Sequence, residues 1–409
     1  MNVKALQRAD QWLGVPLCFA LTLWRAVLRR AAPPATPPRS ILFVKLAEQG
    51  STVLAWAALR RAVEMVGRDH VYFLVLEENR FILDVLDVIP RQNVIPVAGK
   101  GVWGMARSAL GAIRRVRRLQ PDAAIDLEFF SRGSAALTFL SGASRRVGFH
   151  AFHGGGPYRG DLMTHRLIYN PHLHTCETFL SLVEALRRPP DDLPAFDFTE
   201  RAEDNPPPFV PGPEETEVVR KMITEVGARP PLILLNPNAS DLLPLRRWPA
   251  ERYVELARRL LERYPEVRIG LTGAPNEAAA VEGLCVRVGS PRCVSFAGRT
   301  TLRQLLVLYT LAEVLVTNDS GPAHFATLTP IHVVTLFGPE TPRLFAARTP
   351  RNTVLWAGLA CSPCVSAYNN RQSPCRNNLC MQAISVERVF AEVCRAYEAR
   401  RNAVSAASA

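Results

Sequence analysis

The chain has 409 residues, of which 48% are hydrophobic and 21% charged, with 49 Lys and Arg against 37 Asp and Glu. That balance excludes a disordered, collagenous or coiled-coil chain, and the length suits two or three domains that each bury a core. No apolar run reaches the roughly 18–20 residues of a membrane-spanning helix. The positive charge is concentrated, with 21 basic and 11 acidic side chains in residues 1–150, a polarity suited to an anionic partner. Aromatic residues do not interleave with Arg114, Arg115, Arg117 and Arg118, which argues against nucleic acid as that partner.

In chain order, residues 12–24 (WLGVPLCFALTLW) form an apolar segment flanked by Lys4, Arg8, Arg25, Arg29 and Arg30. Too short to span a bilayer, it predicts a helix either lying in a membrane interface or packed on the protein body. With the proline-rich stretch that follows, it makes an amino-terminal segment of residues 1–39. From residue 40 onward, short β-branched runs alternate with helical ones. Strands are predicted at 41–46, 71–76, 94–97, 123–127 and 145–149, with helices over 53–66 and 105–119. Residues 200–215 (ERAEDNPPPFVPGPEE) break the rhythm with five prolines and read as a linker. The pattern then restarts, with strands at 232–236, 267–272, 314–317 and 332–337 and helices over 249–263 and 302–310. Strand–helix alternation of this kind gives a parallel sheet with helices on both faces. The reading is two doubly wound α/β domains, 40–200 and 216–385, facing a cleft, with ligands at the carboxyl ends of the strands. A final helix and tail occupy 386–409.

Three strand-end turns in the second half carry chemistry. Asn318-Asp319-Ser320-Gly321-Pro322-Ala323-His324 follows a strand; Ser320 can cap the next helix, and Gly321 lets backbone approach a ligand. The amide groups of such a turn suit a diphosphate. Upstream, residues 236–240 (NPNAS) precede Arg246-Arg247-Trp248-Pro249, so Ser240 can donate to a phosphate and Arg246 or Arg247 can neutralise it. A third turn, residues 272–277 (TGAPNE), places Glu277 where a carboxylate can accept from ribose hydroxyls.

These segments, with the terminal F-G-P-x-x-P of residues 337–342, resemble glycosyltransferase family 9, the heptosyltransferases of the lipopolysaccharide inner core. The likeness runs from about residue 40 to 393 and is densest over 296–342. It implies a GT-B fold and a nucleotide-activated heptose donor such as ADP-heptose. It further implies inverting, metal-independent transfer without a catalytic cofactor, and an anionic glycolipid acceptor at the cytoplasmic face of the inner membrane. It assigns Ser240 and Arg246 to the diphosphate, Glu277 to the ribose, Asp319 to the sugar, and the amides around Ser320 and Gly321 to the phosphates; His324 closes that motif. It also implies a last helix crossing back onto the first domain.

The chain departs from the family in its first loop, Lys45-Leu46-Ala47-Glu48-Gln49-Gly50-Ser51. Lys45 matches the family's basic residue and Gly50 its turn glycine, but Ser51 stands where the family places the Asp proposed as general base. A hydroxyl cannot replace a carboxylate base. Glu48, Asp126 and Glu128 are the candidates to supply one; a non-catalytic nucleotide-sugar-binding protein and a nucleotide-sugar epimerase are the alternatives. A second departure is Cys361-x2-Cys364-x10-Cys375-x4-Cys380, whose two close pairs have metal-ligand spacing and predict structural zinc or iron. Two disulfides, or four reduced thiols, are the other readings.

Overall fold

The computed structural model describes residues 10–28, 36–99, 101–152, 156–190, 192–195, 204–239 and 243–408. The chain divides into two compact units, the first comprising the chain up to Pro206 with Ser366–Arg371, the second Pro207–Val365 and the remainder from Gln372.

In the first unit, six parallel strands lie in the order β3-β2-β1-β4-β5-β6. They are β1 (Ile41–Val44), β2 (Val71–Leu76), β3 (Val94–Val97), β4 (Ala123–Asp126), β5 (Arg145–Phe149) and β6 (His165–Leu167). Every residue of β1, β4 and β5 is buried, because helices cover both faces of a parallel sheet; hence their sequences read as continuous runs without alternation. The expected helix over 53–66 is two helices, Gln49–Leu54 and Trp56–Val66. They meet where the amide of Ala55 bonds back three residues to Thr52, a local tightening of the turn. The helix expected over 105–119 starts earlier, as Gly101–Leu119, and Arg132–Leu140 is a helix that the alternation of runs did not signal.

The helix Gly14–Leu28 docks on this unit. Cys18 and Leu21 pack among Ala135, Ala136, Phe139, Leu162 and Met163. Polar contacts fix it further: Asp10 accepts from the amides of Arg132 and Gly133 at 2.9 Å each, the amide of Asp161 donates to Thr22 at 3.0 Å, and Arg25 pairs with Asp161. A Cβ on Gly14 would come within 2.7 Å of the Arg132 side chain, so only glycine permits the approach.

The second unit repeats the design. Its strands are β7 (Leu232–Asn236), β8 (Arg268–Leu271), β9 (Cys293–Ser295), β10 (Val314–Asn318), β11 (His332–Phe337) and β12 (Asn352–Trp356), parallel and in the order β12-β11-β10-β7-β8-β9. Its core includes Val389, Val393, Ala396 and Tyr397 of the last helix, Val386–Ser408. That placement corrects the expectation that this helix crosses back onto the first domain: its apolar stripe is used up within the second unit, and Arg400 pairs there with Glu313 at 2.6 Å.

In both sheets the first strand of the unit lies beside the fourth, and the order runs outward from that pair in opposite senses. The carboxyl ends of β1 and β4, and of β7 and β10, are therefore switch points, where open α/β sheets leave a crevice for ligand.

Candidate active site

At the switch point of the second unit, register sets Thr317 of β10 opposite Asn236 of β7. Asn318, the next residue, is fully buried and joins four segments. Its Oδ1 accepts from the amide of Trp248 at 3.0 Å and the hydroxyl of Tyr253 at 3.2 Å. Its Nδ2 donates to the carbonyls of Pro237 and Asn238, both at 3.1 Å. This staple holds the 236–239 turn and the start of the helix Ala250–Arg263 against the end of β10.

Beside it lies a charged triad. Arg246 donates from Nη1 to the carbonyl of Asp319 at 3.2 Å, and its Nε is 3.8 Å from the Asp319 carboxylate. Its Nη2 is 3.4 Å from Oε1 of Glu340, which sits just past β11. Both acids are 3% exposed and face the same guanidinium. Burial raises both carboxyls against the pull of Arg246, Glu340 to about 7. The two carboxylates raise the guanidinium of Arg246 above its ordinary value, against the desolvation that is the largest influence on it. Two buried acids facing one cation favour holding one proton between them.

In the first unit, Lys45 follows β1 and is 2% exposed; its Nζ is 3.8 Å from Glu128. Burial lowers the Lys45 amine, and Glu128 partly restores it. Glu128 Oε1 accepts from the amides of Leu46 and Ala47 at 2.9 and 2.8 Å, so this carboxylate organises the loop. Asp126, at the end of β4, is 0% exposed; it accepts from the Ser134 hydroxyl at 3.0 Å and pairs with Arg159. Desolvation pushes its carboxyl up to about 6, against the lowering effect of Arg159. Glu48 stands at the amino end of the helix Gln49–Leu54 with a left-handed φ of 65° and pairs with Arg371. The Ser51 hydroxyl donates to the Glu48 carbonyl at 2.9 Å and lies 3.5 Å from its Oε2. Gly50 and Ser51 are buried in that first turn.

The family model for glycosyltransferase family 9 (heptosyltransferase) matches residues 110–373. The chain belongs to glycosyltransferase family 9. Lipopolysaccharide heptosyltransferase 2 of Salmonella typhimurium is 35% identical over 116 residues, covering 27% of this chain and 32% of that protein. The chain thus matches about a third of that relative's length. Lipooligosaccharide heptosyltransferase 2 of Haemophilus ducreyi is 27% identical over 316 residues, covering 74% of this chain and 84% of the relative. Among solved structures, ADP-heptose lps heptosyltransferase II of E. coli superposes with a TM-score of 0.67 at 18% identity, over 88% of this chain and 99% of that one. A family 9 glycosyl transferase from Veillonella parvula gives 0.66 at 18%, over 88% and 97%. Both likenesses concern the fold, which is the GT-B arrangement of two doubly wound units.

The remaining candidate residues of this family 9 chain are placed as follows. Arg247 donates to the carbonyl of Ala239 at 3.2 and 2.9 Å, so it braces the turn. Glu277 accepts from the amide of Ala274 at 2.7 Å and caps its own turn. Ser320 does not cap the helix Gly321–Ala326; its hydroxyl donates back to the carbonyl of Asn318 at 3.1 Å. His324 is buried within that helix. Ser240 lies outside the described residues. The motif reading gave no role to Glu340 or Arg371, and quoted Asn318 only as the first residue of its turn.

The expected four-cysteine metal site finds no support in the structure. Among the described residues, no group of three or more His, Cys, Asp or Glu side chains is arranged to hold a metal ion. Cys361 is exposed and Cys380 buried; Ser373 donates to Cys364 Sγ at 3.1 Å, and Cys375 contacts Asn377 at 3.5 Å. None of the four cysteines forms a disulfide.

Proposed function

We propose that the chain transfers a heptosyl group from ADP-heptose to the core sugars of a lipopolysaccharide-type glycolipid, with inversion and without a metal. The observation that carries this is the buried cation Arg246 between two acids at the switch point of the second sheet, in a member of family 9. Arg246 grips the diphosphate and stabilises the charge that grows on it as the bond to the anomeric carbon breaks. Asp319 accepts from sugar hydroxyls and Glu277 from the ribose. Glu48 is the general base: it takes the proton of the acceptor hydroxyl as that oxygen bonds to the anomeric carbon and ADP departs. Asp126 is sealed and Glu128 is committed to two amides, whereas Glu48 lies on the turn that the family reserves for its base. Incubation of the purified protein with ADP-heptose and a heptose-deficient core glycolipid, read by mass spectrometry, tests the reading. A glycolipid heavier by one heptosyl unit supports it; tight donor binding without transfer or hydrolysis refutes it in favour of the non-catalytic alternative.

We further infer that the helix Gly14–Leu28 rests on an anionic lipid surface. No helix among the described residues is long and apolar enough to cross a membrane. This one docks through Gly14, Cys18, Leu21 and Thr22 and leaves Leu17, Phe19, Leu23, Trp24 and Val27 exposed, Phe19 by 56% and Val27 by 79%. An apolar face with tryptophans at its ends and basic flanks suits a lipid interface. Co-sedimentation with phosphatidylglycerol vesicles is expected, and Leu17→Glu with Phe19→Glu is expected to abolish it. Vesicle binding that survives both changes, or concentration-dependent dimers without vesicle binding, refutes this placement.

A further inference from the structure

We propose that Glu340 is a second acid of the donor site, and that a diphosphate settles on Arg246 together with one proton shared by Glu340 and Asp319. This rests on the donor reading above. The geometry is that of a buried cation facing two carboxyl groups, at 3.4 and 3.8 Å. Asp319 Oδ2 and Arg246 Nε are buried with no hydrogen-bond partner, so each has capacity left for a ligand. A triad with both acids ionised carries a net negative charge and repels a dianionic diphosphate. With one proton between the acids the triad is neutral, and the guanidinium can turn its donors to the phosphates.

The charges that act on Glu340 are Arg246, from the Pro244–Arg246 turn, and Asp319, from the end of β10. His324, in the helix after Asp319, and Arg343, exposed in the helix Pro342–Phe345, are the other ionisable groups on those elements. Cys364 and Cys380 approach the backbone at Pro339 and Gly338. Burial holds the Glu340 carboxyl up near 7. Binding that requires the protonated pair is therefore steady below that pH and weakens above it. For a group titrating near 7, affinity falls about 25-fold between pH 6.5 and 8.5.

Calorimetric titration with ADP-heptose tests this, because each of its phosphates carries one ester and the shared anhydride bridge, leaving a single strongly acidic hydroxyl that stays ionised across that range. Measured at pH 6.5, 7.5 and 8.5 in two buffers of different ionisation enthalpy, the wild-type protein is expected to take up a fraction of a proton that approaches one at pH 8.5. Glu340→Gln is expected to bind with no proton uptake and a flat profile. Wild-type binding that changes less than twofold across the range without proton uptake overturns the inference and leaves the donor reading standing. A complete lack of ADP-heptose binding overturns both. The wild-type measurement decides the matter even where the variant fails to fold.

Discussion

Replacing Asn318 by Ala tests whether one side chain holds the donor half of the site together. The amide side chain makes four hydrogen bonds, to Trp248, Tyr253, Pro237 and Asn238, inside a fully buried position. At about 1 kcal/mol net for each bond, the loss is about 4 kcal/mol, since truncation leaves four buried polar groups without this partner. For a unit of this size, that corresponds to a lowering of the melting midpoint by roughly 8–16 °C. Differential scanning calorimetry reads the change directly, and Trp248, which is 1% exposed beside Tyr253, reports it by fluorescence. Because the 236–239 turn and the Trp248 segment both lose their anchor, ADP-heptose affinity falls as well. A variant within 1 kcal/mol of wild type, with unchanged affinity, would show that backbone contacts alone set these turns, and the staple argument would fail.

Three other changes have defined outcomes. Arg246→Gln is expected to weaken ADP-heptose binding by about 100-fold, since one partner of a buried charge set is removed; calorimetric affinities within threefold of each other contradict this. Glu48→Gln is expected to lower kcat by roughly 10²–10⁴-fold while Ser51→Ala stays near wild type, and equal activity of all three proteins rejects Glu48 as base. The Asp126 carboxyl titrates near 6 when folded, above its ordinary value. The stability that this shift contributes is complete at low pH and is lost as pH rises through about 6. Asp126→Asn lacks that titration, so the difference in unfolding free energy is expected to move in the variant's favour by up to roughly 3 kcal/mol between pH 4 and 7.5. A pH-independent difference in denaturant titrations excludes it.

Much of the architecture was legible because buried parallel strands read as unbroken apolar runs, as in the stretch that became β1. Short strands such as β6 and β9, three residues each, carry too little pattern to register. Among candidate site residues, Arg246 and Asp319 are legible because each sits in a turn with its own local signature. Glu340 was passed over because its segment was read for its glycine and prolines. What marks it is an approach to Arg246 from 94 positions away in the chain, which no local spacing encodes. Arg371 carries no local signature, yet it pairs with Glu48, and burial lowers its guanidinium to about 10. Ser320 shows the opposite error: its cap was chemically reasonable, but its hydroxyl turns back to donate to the carbonyl of Asn318, and its oxygen accepts from no amide of the following helix.

The hexapeptide Ser366–Arg371 groups with the first unit, although the chain on either side of it belongs to the second. Tyr368 donates to the Tyr169 carbonyl and packs at 5.6 Å from the Phe130 ring, while Arg371 meets Glu48. A nascent chain released as far as Pro206 therefore displays these aromatic rings and a lone acid with their covering strip still unsynthesised. Cutting the gene at that boundary would likewise yield an amino-terminal half missing part of its own surface, so the two halves are not interchangeable modules.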